Sequence, residues 1–139
     1  MPAELTDAQA DALRELTNVA AGHAARALST LLGGEKFGLW PPLVRHLVHP
    51  QLTALLGGKG APLTAVSAEL RGGVGGAMAL VFTEPHVQTL TSRLLGAAGQ
   101  RFQTPEVALR DAANLVYAAA LDATARLSGV RALHSVPVV

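Results

Sequence analysis

The sequence predicts one domain of mixed α and β structure, and three observations carry that expectation. Two long stretches rich in helix formers, Asp7 to Leu32 and Pro105 to Ser128, are bracketed by start and stop signals. Between them, two β-like runs flank a glycine-rich connection. A helix-then-strand pattern also recurs at a fixed offset. At 139 residues, 50% of them apolar, the chain is one domain's worth of sequence and can bury roughly two thirds of its unfolded surface.

The first helix is expected to start near Asp7. Thr6 followed by Gln9 forms a capping box, in which the hydroxyl accepts from the third helical N–H and the amide reaches back to the cap. The stretch then runs unbroken to Leu32, where Gly33 and Gly34 supply the left-handed conformation that ends helices. Residues 40–50, "WPPLVRHLVHP", alternate loosely and carry a proline pair at their start, which suits an edge strand. The following "PQLTALLGG" reads as one or two helical turns.

Residues 63–70, "LTAVSAEL", and 77–82, "AMALVF", read as the two arms of a hairpin bent at "RGGVGG". A helix over "EPHVQTLTSRLLG" should close at Gly96. Thr104 and Pro105 then open the second long helix by the rule of a cap followed by proline, with Gly129 as its stop. The final "ALHSVPVV" reads as a last strand.

Composition excludes several classes of function. The 11 Lys and Arg nearly balance the 10 Asp and Glu and are scattered, so no basic patch for nucleic acid or an anionic membrane is visible. No cysteine is present, which removes disulfides and thiolate metal sites. The longest apolar runs fall far short of the roughly 18 residues of a membrane span. The opening "MPAELTDAQ" lacks the basic-then-apolar pattern of a secretory signal, so the expectation is a cytoplasmic protein.

Sliding the sequence by 96 positions pairs Leu13 with Leu109, Arg14 with Arg110, Asn18 with Asn114, Gly33 with Gly129 and Pro41 with Pro137. Ala and Leu matches are common by chance in so Ala-rich a chain, but Asn, Gly and Pro matches at one offset are not. The expectation is a duplication within a single domain over 1–139, with a first repeat of about 6–96 and a shorter second repeat of about 102–139.

At 100° per residue, Asp11, Glu15, Asn18 and Gly22 fall within about 60° of one another on the first helix. Leu13, Leu16, Ala20, Ala24, Ala27 and Leu31 cluster on the opposite side, which is the expected buried face. An ordinary solvated face would use Lys, Glu or Arg. Asn is a mediocre helix former, and Gly in a helix interior costs about 1 kcal/mol relative to Ala. A carboxylate can grip a cation on a partner. A carboxamide both donates and accepts, so it can orient a water without exchanging protons. In phosphoryl transfer, aligning the attacking water is itself a catalytic contribution.

Asp11, three residues, Glu15, two residues, Asn18, then 22 residues to Pro41 resembles the motif of the CheC, CheX and FliY phosphatases of bacterial chemotaxis. The flanking "VAAGHAARALSTLLG" is similar to that family's first helix, and the order of elements agrees across nearly the whole chain. The resemblance implies a pseudo-twofold duplication in which two long helices pack on a mostly antiparallel sheet. It also implies hydrolysis of the aspartyl phosphate of a CheY-like response regulator. Asn18 would orient the hydrolytic water, Glu15 would contact a lysine of the receiver domain, Asp11 would support the site's edge and Pro41 would shape the connection beneath. The Mg2+ of such a reaction would belong to the receiver domain, so no cofactor or metal is expected in this chain.

The second copy keeps Asn114 and Pro137 but has Asp111 in place of glutamate and Val107 at the acid or serine position. Aspartate is one methylene shorter, and valine neither donates nor accepts, so this site is expected to be degenerate. Two-site relatives continue beyond the second proline, whereas this sequence stops at Val139. That suggests an open sheet edge and a homodimer that covers it. A CheD-like protein is a further expected partner. The alternative function is a non-catalytic assembly module like the FliM/FliN-type flagellar-switch relatives.

His46 and His49 stand three apart on the strand expected there, so they would point to opposite faces, with no carboxylate nearby to complete a metal site. The "GGVGG" segment lacks the helix start and the Lys-Ser/Thr of a phosphate-binding loop and reads as a tight turn.

Overall fold

The computed structural model describes residues 4–34, 50–51, 54, 60, 62–97 and 104–139. Among these, the elements in chain order are α1 (Asp7–Leu31), β1 (Leu63–Gly72), β2 (Gly76–Thr83), α2 (Glu84–Ala97), α3 (Pro105–Ser128) and β3 (Ala132–His134). These described elements place α1, α2 and α3 on a three-stranded antiparallel sheet of order β2-β1-β3, as the mixed class requires. The strand expected at 40–50 lies outside the described residues, apart from Pro50. Pro50, Gln51 and Ala54 are helical, and the rest of that short segment is likewise outside the described residues.

Both long helices begin and end as their sequences dictate. The Thr6 N–H donates to Gln9 Oε1 at 3.0 Å, while the Gln9 N–H donates to Thr6 Oγ1 at 3.2 Å. This is the reciprocal capping box. Thr104 Oγ1 accepts from the Val107 N–H at 3.2 Å, with Pro105 in the first turn of α3. The exits also match, since Gly33 has φ +78° and Gly129 has φ +74°. α2 spans Glu84–Ala97, ending within one residue of the Gly96 expected to close it. Packing anchors that last stretch, because Leu94 is fully buried against Leu32, Ala108 and Ala112.

β1 pairs with β2 from Leu63↔Thr83 to Leu70↔Gly76, and with β3 from Leu70↔His134 to Gly72↔Ala132. The strand expected over residues 132–139 is realised in two pieces. After β3, the Ser135 N–H donates to Glu69 O at 2.9 Å, and Ser67 and Val138 exchange hydrogen bonds of 2.9 and 2.8 Å. Pro137 lies between these contacts and has no N–H to donate.

Residues 73–75 make the hairpin turn that "GGVGG" predicts. Gly72, at the end of β1, has φ +106°, and a Cβ there would lie 3.1 Å from the Arg131 carbonyl oxygen. Both the backbone conformation and the backbone neighbour oppose a side chain. Gly72→Ala is therefore expected to lower unfolding stability by about 2 kcal/mol, measured by chemical denaturation.

The sheet's inner face follows the period of two. Val66 and Ala68 of β1 are buried, while Ser67, Glu69 and Arg71 face away and are exposed. Val66 and Ala68 join Val87, Leu109, Ala113, Val116 and Tyr117 in one core cluster. The two long helices contribute unequally. α3 supplies eight buried residues, among them Leu109, Val116 and Tyr117, whereas no residue within α1 is fully buried.

The packed side of α1 agrees in part with the one its sequence selects: Leu16, Ala20, Ala24, Ala27 and Leu31 are half-buried, and Leu13 is not. Ala24, Leu28 and Leu31 contact the core clusters, and Ala21 and Ala25 face the same interior, while Leu13 remains 38% exposed. The contacting side is shifted by roughly 40° from the expected one, toward Leu28. In so Ala-rich a helix the apolar signal is nearly uniform around the axis. Small side chains that allow close approach to α3 then decide the orientation.

Candidate functional site on the first helix

The first half of α1 projects Asp11, Glu15 and Asn18, and all three are exposed. Spacings of four and three residues stack them along one face, with Glu15 and Asn18 about one turn apart. The capping box fixes where the helix begins, and with it the register of this row. Thr17, on the same turn, does not compete for contacts: its hydroxyl donates to the Leu13 carbonyl at 2.7 Å.

The three side chains are not equivalent. Asp11 accepts a hydrogen bond from Arg14 Nη1 at 2.5 Å, so its charge is already partnered on its own helix. Glu15 and Asn18 form no side-chain hydrogen bond or ion pair among the described residues. A solvated carboxylate next to a carboxamide with both its donor and its acceptor unused can engage an incoming cation and a water at once.

One turn further on, Gly22 is half-buried, and a Cβ built there meets no heavy atom within 4 Å. Nothing described in this chain's own packing requires glycine at that position. Pro41 lies outside the described residues. Among the described residues, no group of three or more His, Asp or Glu is placed to hold a metal ion, and no helix is long and apolar enough to cross a membrane.

The second copy of the motif sits on α3. Asp111, Asn114 and Val107 are exposed on the side away from the core, and Pro137 is buried after β3. Asn114 makes no side-chain hydrogen bond among the described residues. The helix beneath is the principal packing element of the fold, and its centre is Tyr117, which is 1% exposed. The Tyr117 hydroxyl donates to the Val66 carbonyl and accepts from the Leu80 N–H at 3.0 Å, bridging β1 and β2 where Val66 pairs with Leu80. Burial raises the Tyr117 pKa above its ordinary value, and the Leu80 hydrogen bond opposes part of that rise. Sequence reasoning missed this residue. The available signal was that it is the single tyrosine of the chain, on the apolar side of a long helix.

Fold and site together define an α/β chain that presents an acid and amide pair on the exposed face of a terminal helix. The model of the CheC-like family matches residues 9–43, the segment that holds Asp11, Glu15, Asn18, Gly22 and Pro41. Over 142 aligned residues the chain is 26% identical to the "CheY-P phosphatase CheC" of Bacillus subtilis, covering 97% of this chain and 67% of that protein. The crystal structure of Thermotoga maritima FliY shares the fold with a TM-score of 0.73 at 24% identity, covering 98% of this chain and 69% of that one. The chemotaxis protein CheX from Desulfovibrio desulfuricans does so with a TM-score of 0.64 at 16% identity, covering 89% and 75%. The family-model match over the first helix and the curated relative thus liken this chain to CheC, and the two solved structures share its fold.

Proposed function

We propose that this chain hydrolyses the aspartyl phosphate of a CheY-like receiver domain, with Asn18 orienting the attacking water and Glu15 pairing with a lysine of the receiver. The observation that carries the reading is that Glu15 and Asn18 stand exposed, one turn apart and with no side-chain partner among the described residues, inside the segment matched by the family model. The B. subtilis relative, named as a CheY-P phosphatase, supports the substrate class.

In the reaction, the water oxygen forms a bond to phosphorus as the bond between phosphorus and the aspartyl oxygen breaks. The products are inorganic phosphate and a free carboxylate, and the water's proton passes to solvent. The transition state is loose, so what this chain supplies is position. The Asn18 carbonyl accepts from the water, and its amide N–H holds the phosphoryl oxygens or the partner's backbone. Any Mg2+ belongs to the receiver. The protein acts in the cytoplasm, where response regulators reside.

Mixing the chain with a phosphorylated receiver domain and magnesium tests this reading. Accelerated phosphate release is expected. Binding without acceleration would favour the assembly-module alternative and remove the catalytic assignment.

Gly22 gives a second test, because its effects on stability and on docking have opposite signs. Gly22→Ala should raise Tm by about 3 °C through helix propensity, since the added methyl meets nothing in this chain. The same methyl intrudes where the receiver approaches, so KM for the phosphorylated receiver should rise several-fold. An unchanged KM would mean that the docked surface does not extend to Gly22.

A further inference from the structure

The proposed mechanism leaves Arg14 without a role. This residue precedes Asn18 by one turn of α1 and is exposed, with Nη1 donating to Asp11 Oδ1 at 2.5 Å. At 100° per residue, Arg14 and Glu15 lie on opposite sides of Asn18, about 40° and 60° away. The exposed amide therefore stands between a guanidinium and a carboxylate.

The second copy repeats this unit. Arg110 precedes the exposed Asn114 by the same spacing on α3, and its Nη2 donates to Glu106 Oε1 at 2.9 Å. The holding acid has moved: Val107 corresponds to Asp11, and Glu106, which corresponds to Ala10, takes its place. Exposed ion pairs within a helix add little to stability, so stability alone is a weak reason for the acid to reappear one position away. What the two copies share is an arginine fixed one turn before an exposed asparagine.

We infer that Arg14 is a further catalytic residue, donating N–H groups to the phosphoryl oxygens of the receiver's aspartyl phosphate while Asn18 holds the water, and that Asp11 is a positioning residue that fixes the guanidinium. The inference rests on the phosphatase reading. A guanidinium has more N–H donors than one carboxylate contact uses, and the remaining donors of Arg14 have no partner among the described residues. Its planar fork matches the geometry of phosphate oxygens. Arg14 makes and breaks no covalent bond. As the bond between phosphorus and the aspartyl oxygen breaks, its charge offsets the negative charge spread over the phosphoryl oxygens.

The test measures phosphate release from a phosphorylated receiver domain with magnesium, by the unaltered full chain, Asn18→Ala and the variants below, alongside thermal melting. Arg14→Ala should lower kcat about 10²-fold with KM little changed, because the contact is made in the transition state. Arg14→Lys, which keeps the charge but not the fork, should lose about tenfold. Added guanidinium ion, below denaturing concentration, should restore part of the Arg14→Ala rate, which a structural role does not predict. Asp11→Ala should be slower several-fold, and adding Ala10→Glu, which rebuilds the Glu106–Arg110 arrangement, should recover most of that loss. Tm should move by no more than about 2 °C in any variant. Full activity in Arg14→Ala while Asn18→Ala is slow would overturn this inference and leave the phosphatase reading standing. No acceleration by the unaltered chain would remove both. A higher KM at unchanged kcat would make Arg14 a docking residue, and a double variant as slow as Asp11→Ala would show that Asp11 acts through a contact of its own; either result overturns the inference. If Arg14→Ala fails to fold, the kcat and KM of Arg14→Lys decide.

Discussion

Replacing Asn18 with alanine is expected to slow phosphate release from a phosphorylated receiver domain by about 10²-fold or more, equivalent to roughly 3 kcal/mol of barrier. The fold should not suffer. Asn18 is exposed and bonds to no described residue, and alanine is the better helix former, so Tm should hold or rise slightly. That combination separates catalysis from stability, because a residue with a structural role would lose both together. Asn114→Ala, in the copy where the shorter Asp111 stands for glutamate and Val107 for the acid or serine, should change the rate far less. If Asn18→Ala retains full activity, or loses it only by unfolding, the row on α1 is ordinary surface and the proposed mechanism fails.

The row was legible in the sequence because it depends on local rules. A capping box fixes the helix register, and spacings of four and three then place Asp11, Glu15 and Asn18 together whatever the helix packs against. The hairpin and the exit of α3 at Gly129 were legible for the same reason, since each is set by residues near in sequence. What needed the structure was long-range. The buried side of α1 is chosen by the small residues that fit against α3, so a count of apolar positions around the helix found Ala24 and Leu31 but pointed roughly 40° away from the centre of the contact. The pairing of Asp11 with Arg14 was available as an i,i+3 pattern, but its consequence, one acid occupied and one free, appears only when both side chains are placed.

Tyr117 should be where the fold is most sensitive to a single substitution. Tyr117→Ala removes a fully buried ring between α3 and the sheet and is expected to cost about 4 kcal/mol. Tyr117→Phe keeps the ring but takes a partner from the Val66 carbonyl and the Leu80 N–H. It should cost about 2 kcal/mol, the typical loss when buried polar groups lose a bond. The two variants thus separate packing from hydrogen bonding at one position, read by urea denaturation at pH 7. A pH series adds a check with a definite sign. Burial raises the phenol's pKa in the folded chain above its unfolded value near 10.0. Below that pH both states keep the proton and the stability is fully present. As pH rises past 10 the unfolded chain ionises first, so the native state loses stability until the folded pKa is passed. Tyr117→Phe has no phenol to ionise, so its stability should fall less steeply across that interval. Parallel alkaline profiles for the two proteins would show that the buried hydroxyl is not coupled to folding.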